Sequence, residues 1–455
     1  MSTDDAGLQR YLGTSTSRRQ LLRGVGLLGA GLALGGPLLA ACSSDSKSGS
    51  TTAGGSGGSD AGAKLAEILK IDKANAGAGL TWQMGAVLAL TGPGAYYGKT
   101  MTNGINLAVK HIKAAGGPDI QVTTIDHKSG DAQAGVDAMR DLVAKKVPAK
   151  LASYVDDLGA MLPATEQAKM FTLDGGGGTS IFGQGKPYFY GTRAITPNDA
   201  LPGALEYLKT AMPGKTKLGF IMWDLGEPVN TMIKDDLLAK TAKAGFEANG
   251  LYEVYPVGAS DYSTLIPKIK ANMPDILIAY GSGQDPGHFS SQWYTSGGDL
   301  CPFVGFELTP DGVNAAKGAY DKYGFMFAAD YFDDKVGVNP LAKLFISEFQ
   351  AEYGSMPDFY AANFYENTLA MWDVIRRVIK KGGDINSGEQ LNAAFQEDLS
   401  AASVYGGDAT TVGAYKIDPT SHTVIRRPMG IFQQKDGKVT PLAYFDIDAA
   451  DYRLA

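Results

Sequence analysis

The chain has 455 residues, a formal net charge of −7 at pH 7 and 44% hydrophobic residues. That length supports two domains of ordinary size, and dispersed acidic charge excludes the basic footprint of a nucleic-acid binder. Of the two cysteines, Cys42 and Cys301, only the second lies in the part expected to fold, so no disulfide can staple it.

Residues 1–41 read as an export signal. Arg18 and Arg19 stand directly before an apolar stretch, Gly24 to Ala41, that is broken by several glycines and Pro37. A membrane-spanning helix needs about 20 predominantly apolar residues, and this one carries too much Gly and Pro. Paired arginines before a weakly apolar segment are the pattern of a twin-arginine signal, whose passengers leave the cytoplasm folded. An ordinary secretory signal with a chance arginine pair is the alternative, since Leu21 stands where Phe is commoner. Leu39-Ala40-Ala41-Cys42 resembles a bacterial lipobox, in which the Cys42 thiol takes a diacylglycerol. Residues 42–63 follow as a flexible tether of mostly Ser, Gly, Thr, Ala and Asp, spanning about 25 Å on average. The expected location is the outer face of the cytoplasmic membrane, held by this lipid anchor. Gly24-Val25-Gly26-Leu27-Leu28-Gly29 matches a dinucleotide-binding turn, but no strand precedes it and it lies within the signal, so it carries no nucleotide reading.

Beyond the tether, Leu65, Ile68, Leu69 and Ile71 predict a short helix over Lys64 to Ile71. Trp82 to Leu90 predicts a strand, followed by a helix with the apolar stripe Met101, Ile105, Ala108 and Ile112. Strands are expected at Ile120 to Asp126, Lys150 to Val155 and Met170 to Asp174, with a helix marked by Val136, Met139, Leu142 and Val143. The pattern restarts after Arg193 with strands at Leu218 to Asp224, Tyr252 to Val257, Ile276 to Tyr280 and Phe303 to Glu307. Two long helices are predicted at Asn339 to Tyr353 and Ala361 to Lys381, and the C-terminal segment reads as short strands and turns. Alternation of strand and helix is the signature of parallel sheets covered on both faces. The expected fold class is α/β, with two doubly wound Rossmann-like lobes joined by crossing strands. Lobe I is placed at 64–195 plus 330–426, and lobe II at 196–329 plus 427–455. Ligands of such sheets sit beyond the carboxyl ends of strands, at the loops after Leu90, Val155, Asp174, Tyr280 and Glu307.

The run Gly85-Ala86-Val87-Leu88-Ala89-Leu90-Thr91-Gly92-Pro93, with Tyr97-Gly98 and Gly104, resembles the opening of the branched-chain amino-acid binding protein family. Asp261-Tyr262-Ser263, Leu265, Ile269, Pro274-Asp275 and Gly281 are similar to its middle signature, and Met356-Pro357, Ala361 and Tyr365 to its late helix. The likeness runs from Trp82 to Phe445. It implies a type I periplasmic binding protein, the solute receptor of an ABC importer, which closes two lobes on a small polar ligand and presents it to a membrane permease. A sensor of the same fold that does not transport is one alternative, and an extracytoplasmic enzyme is the second, more distant one. No cofactor is implied, and a monomer is expected.

The turn from Thr91 to Gly98 leads into a helix, whose N-terminal N–H groups favour anions. The resemblance implies that Tyr97 packs on the ligand side chain. It also implies that backbone and hydroxyl groups of the loop Gly175 to Ser180, with Gly176, Gly178 and Thr179, hold a ligand α-carboxylate. Gly178 stands where the hydroxyl would be expected. In the next departure, Asp156 and Asp157 replace the family's Ser or Thr, and Asp157 is either a ligand contact or part of an acidic turn capping the following helix. Ser282, with Gly283 and Gln284 in the loop after Tyr280, is expected to supply further polar contacts. Glu307 matches the acid that pairs with a ligand α-ammonium, since a carboxylate in a dry cleft needs a cationic partner; the alternative is an acid at a helix start before Thr309-Pro310. Tyr154, Trp223 and Tyr360 are candidate aromatic walls. No metalloprotease, Walker or nucleophile-elbow motif occurs, no two of the four histidines have metal-ligand spacing, and neither an enzyme nor a metal site is expected. His111, beside Lys110, is expected to face solvent, and His127 to orient Asp126.

Overall fold

The computed structural model describes residues 57–92, 94–153, 155–176, 185–193, 196–227, 229–298, 303–332, 337–446 and 453–454. Arg18, Arg19, Cys42, Tyr154, Gly178 and Thr179 lie outside them.

Helix α1 (Gly57–Ile68) begins inside the stretch read as tether. Asp60 in its first turn suits the positive end of the helix and pairs with Lys64 at 2.6 Å, while Ala61 and Leu65 are buried.

Strand β1 (Thr81–Leu88) is buried continuously from Met84 to Leu88, as a strand covered on both faces must be. Helix α2 (Ala95–Ala114) then buries the stripe Met101, Ile105, Ala108 and Ile112. β2 (Asp119–Asp126), α3 (Ala132–Ala144), β3 (Ala149–Ala152), α4 (Val155–Ala168), β4 (Phe171–Asp174) and β5 (Phe189–Gly191) complete a parallel sheet of order β2-β1-β3-β4-β5. Val155 opens α4 instead of ending β3, which stops at Ala152 after four buried residues. In α3, Met139 and Leu142 point inward but Val143 is 44% exposed, one helical step past the stripe.

The second sheet repeats that strand order. Helix α5 (Thr196–Ala211) leads to β6 (Lys217–Trp223), α6 (Val229–Lys243), β7 (Glu247–Tyr255), α7 (Leu265–Ala271), β8 (Ile276–Ala279), α8 (Asp285–Thr295), β9 (Phe303–Phe306), α9 (Pro310–Ala315), α10 (Ala319–Tyr323) and β10 (Phe325–Asp330). The parallel run β7-β6-β8-β9-β10 is extended by antiparallel β14 (Pro428–Lys435), β15 (Lys438–Asp446) and β16 (Arg453–Leu454). Between β10 and β14 the chain returns to the first core. There α11 (Pro340–Tyr353), α12 (Phe359–Lys380), α13 (Gly388–Gln396) and a small sheet of β11 (Ser400–Ser403), β12 (Gly413–Ile417) and β13 (Val424–Arg426) pack with Trp82, Leu88 and Ile112. The C-terminal strands are thus longer and more regular than the sequence suggests. α2 lies against α12 so closely that a Cβ on Gly104 would stand 2.2 Å from the Ala361 carbonyl oxygen, which explains the glycine.

The chain passes between the two sheets three times, after β5, after β10 and before β14. Each passage carries a buried charge: Arg193, Asp330 and Arg427. His111 is not at the surface as expected. It is 1% exposed, with Nδ1 2.9 Å from the Tyr365 hydroxyl on α12, so the helix face beside Lys110 turns inward there. Burial pushes its pKa down to about 4. His127 is also buried. Its Nε2 lies 3.3 Å from the Ser153 hydroxyl, and Gly130 N–H donates to Nδ1, whereas Asp126 accepts from the N–H groups of Leu90 and Lys128 and from Thr91.

Candidate functional site

The carboxyl ends of both sheets meet around Tyr97, Ser282, Glu307, Tyr360 and Arg193. Tyr97 lies in the first turn of α2 and is 4% exposed. Its hydroxyl bonds the Ser282 hydroxyl in the loop after β8 and accepts the Gly283 N–H at 3.0 Å. Two neighbouring strand ends of the second sheet, β6 and β8, supply that loop's surroundings: Trp223 Nε1 donates to Asp285 at 2.7 Å, and its ring meets Tyr280 edge-on.

Glu307 follows β9 with φ 71°, a left-handed conformation that a non-glycine residue rarely adopts and that concentrates at functional sites. Its N–H is tied to the Ala328 carbonyl at 3.1 Å, and its side chain is 9% exposed. Tyr360 donates its hydroxyl hydrogen to Glu307 Oε2. Arg193 Nη2 stands 3.9 Å from the same oxygen. Burial raises the Glu307 pKa, against the opposing pull of Arg193 and the Tyr360 bond. The helix-start alternative does not describe this side chain, because Thr309 is the cap of α9 and accepts the Gly312 N–H at 3.0 Å.

Tyr360 is placed by the start of α12. Asp358 caps that helix on the Ala361 N–H at 2.8 Å, and α2 clamps Asp358 through the Tyr96 hydroxyl at 2.5 Å and the Thr100 hydroxyl at 2.9 Å. The Tyr360 ring meets Tyr97 edge-on, with centroids 4.8 Å apart.

Arg193 is the residue that sequence reasoning missed. It is 2% exposed, and its Nε donates to Asp330 at 2.6 Å. Nη1 donates to the Gly176 carbonyl at 3.3 Å and lies 3.4 Å from the Tyr360 hydroxyl, and the guanidinium stacks over Phe359 and Tyr360. Asp330 in turn accepts from Arg427, which bonds Glu366 at 2.8 Å. A buried string of alternating charge therefore runs Glu366, Arg427, Asp330, Arg193, Glu307. The arginines hold Asp330 below the usual carboxylate range despite its burial.

Gly176 sits beside this cluster, but its N–H donates to Asp174 at 2.9 Å and its carbonyl accepts from Arg193, so that amide does not face outward as a carboxylate donor. Asp157 falls within α4, and its side chain lies outside the described ones. Among the described residues no group of His, Cys, Asp and Glu is arranged to hold a metal, and no helix is long and apolar enough to cross a membrane.

The family model of periplasmic binding proteins matches residues 81–438. Among solved structures, the leucine-binding protein LivK from Thermotoga maritima is similar at 18% identity, covering 80% of this chain and 98% of that one, with TM-score 0.66. The branched-chain amino acid transporter substrate-binding protein LivJ from Streptococcus pneumoniae, in complex with isoleucine, is similar at 18% identity, 82% and 99% coverage, and TM-score 0.65. A solute-binding protein of an ABC transporter from R. palustris, in complex with benzoate, is similar at 20% identity, 82% and 98% coverage, and TM-score 0.65. With the matched segment spanning every parallel strand of both sheets and every strand end of the Glu307 cluster, the chain belongs to the periplasmic binding protein family.

Proposed function

We propose that this protein is the extracytoplasmic solute receptor of an ABC importer, lipidated on Cys42, that captures an amino acid or a related amine and releases it unchanged to a permease. In this reading the segments 64–195 plus 330–426 and 196–329 plus 427–455 act as two lobes, each built on one large sheet, which hinge at the three passages. Closure on a ligand is a population shift, since contacts from both lobes exist together only in the closed form.

The observation that carries the ligand class is the state of Glu307. It is a buried carboxylate whose neighbouring cation, Arg193, is 3.9 Å away and already committed to Asp330 at 2.6 Å. Such a group needs a further cation or strong donor to offset its desolvation, and a ligand ammonium provides both charge and hydrogens. Tyr97 and Tyr360 offer aromatic faces beside it. The neighbours of this fold carry isoleucine in one case and benzoate in another; the exposed need of Glu307 favours the amine-bearing class.

The test is a thermal-shift screen of the full-length protein with amino acids, amines, amides, sugars and aromatic acids including benzoate. A cognate ligand at a hundred times its Kd should add roughly 2.7 kcal/mol of stability. Stabilisation by a sugar or a simple acid, with none by any amine, defeats the reading.

A further inference from the structure

We propose that Arg193 is itself a ligand-binding residue, its Nη2 donating to the carboxylate of the same zwitterion whose ammonium meets Glu307. This rests on the amine-binding reading of Glu307 and adds the second pole of the ligand. Nη2 is fully buried and has no hydrogen-bond partner, although the other nitrogens of the same guanidinium are engaged. An unsatisfied buried donor carries its whole desolvation penalty, more so when charged, and such groups in native proteins have an explanation. A purely structural role for Arg193 is served by Nε on Asp330 and Nη1 on Gly176, and leaves Nη2 with the distant charge of Glu307 but no hydrogen bond.

Position and charge identify the missing acceptor. Nη2 and Glu307 Oε2 stand 3.9 Å apart. An α-amino acid holds its nitrogen and a carboxylate oxygen about 3 Å apart across one tetrahedral carbon, so one such group can lie antiparallel over this pair. The guanidinium carbon lies 5.0 and 4.8 Å from the ring centroids of Phe359 and Tyr360, two contacts that help hold the group in place. A zwitterion adds no net charge to the buried site. A simple acid would set a third carboxylate against Glu307 and Asp330, and a simple amine would leave Nη2 unpaired. The glycine loop does not compete for the carboxylate at Gly176, whose N–H is already given to Asp174.

The experiment measures affinity of the full-length protein for each common L-amino acid, its amide, and its N-acetyl derivative, in wild type and in Arg193→Lys. The substitution keeps a cation for Asp330 but removes the second terminal nitrogen. The best-binding free acid should lose on the order of 100-fold on amidation in the wild type, because the charged donor is then left with a weaker partner. In Arg193→Lys the acid and amide should come within a few-fold of each other. That ratio is taken within one protein, so a general loss of stability cancels; if Arg193→Lys fails to fold, Arg193→Gln gives the same comparison, and a preference on the order of 100-fold that persists in either variant overturns the assignment. Equal binding of acid and amide by the wild type overturns the assignment of Arg193 and leaves Glu307 standing. Binding of an N-acetyl acid as tightly as the free acid, with the amide rejected, overturns the ammonium at Glu307 and keeps Arg193 as the carboxylate anchor. Absence of binding by every acid at millimolar concentration overturns both.

Discussion

Replacing Glu307 by Gln keeps the shape of the side chain and removes its charge. Breaking one partner of a buried, hydrogen-bonded ion pair costs on the order of 3–5 kcal/mol, because the other charge is left uncompensated. With a ligand ammonium as that other charge, the loss is roughly two to four decades in affinity at about 1.4 kcal/mol per decade. The unliganded fold should barely respond. Arg193 keeps Asp330 at 2.6 Å, the Tyr360 hydroxyl can still donate to an amide oxygen, and a desolvated carboxylate is relieved. Calorimetry with the best stabilising amine from the screen, beside the melting temperature of the apo protein, separates these quantities. A second signature follows from the raised pKa of Glu307 in the unliganded protein. An ammonium binds the ionised carboxylate best, so wild-type affinity should fall as pH drops through that raised pKa, and the Gln variant should lack this dependence. Wild-type affinity in Glu307→Gln, or an identical pH profile in both proteins, refutes the ion pair.

Three further outcomes test other parts of the molecule. Cys42→Ser should release the protein from the membrane fraction or leave it unprocessed, with the folded part's melting temperature unchanged; normal membrane attachment contradicts lipidation. Changing Arg18 and Arg19 together to Lys should trap precursor in the cytoplasm if export uses the twin-arginine route, and unimpaired export points to the general secretory route. Lys150 is 1% exposed, its Nζ donating to Thr165 at 2.6 Å and Thr172 at 3.0 Å, and burial lowers its pKa from 10.5 to about 7. Between those values the unfolded chain binds more protons than the folded one, so stability should rise from pH 7 to pH 10 by up to about 1.4 kcal/mol per pH unit. Denaturant titrations should show that part of the slope abolished in Lys150→Met, and an unchanged slope contradicts a neutral buried lysine.

The alternation of strands and helices is written in local patterns and reads well from sequence. The runs Ala149–Ala152 and Ile276–Ala279 are each buried at every position, which is what a short central parallel strand requires. Tyr97, Ser282 and Glu307 stand near the carboxyl ends of predicted strands, so a fold-level rule already directs attention to them. Arg193 has no such local mark. Its partners Asp330 and Tyr360 lie 137 and 167 residues away, and no spacing in the chain announces that they converge. The burial of His111 is hidden from the sequence for the same reason. Its neighbour Lys110 reaches solvent, but the ring meets Tyr365, 254 residues distant. The left-handed backbone at Glu307 is equally silent in sequence, because it is imposed by the tie to β10 and not by a glycine.

The buried charge string is poorly explained as a source of stability. Burying ions costs several kcal/mol each, and well-packed apolar replacements are often as stable or more so. Its placement is better explained by geometry. Asp330 accepts from Arg193 through one oxygen and from Arg427 through the other, so one carboxylate joins all three passages between the sheets. Arg427 is fastened to α12 by Asn363 and Glu366, and Tyr360 lies on the same helix. Positions 360, 363 and 366 recur every three residues and so share one helical face. A single rigid helix therefore presents Tyr360 to Glu307 and holds the guanidinium that fixes the passages. Sites built on such elements keep their groups within a fraction of an ångström of the productive arrangement. This is why removing the Glu307 charge should be read in ligand affinity, whereas removing Asp330 should be read first in the fold.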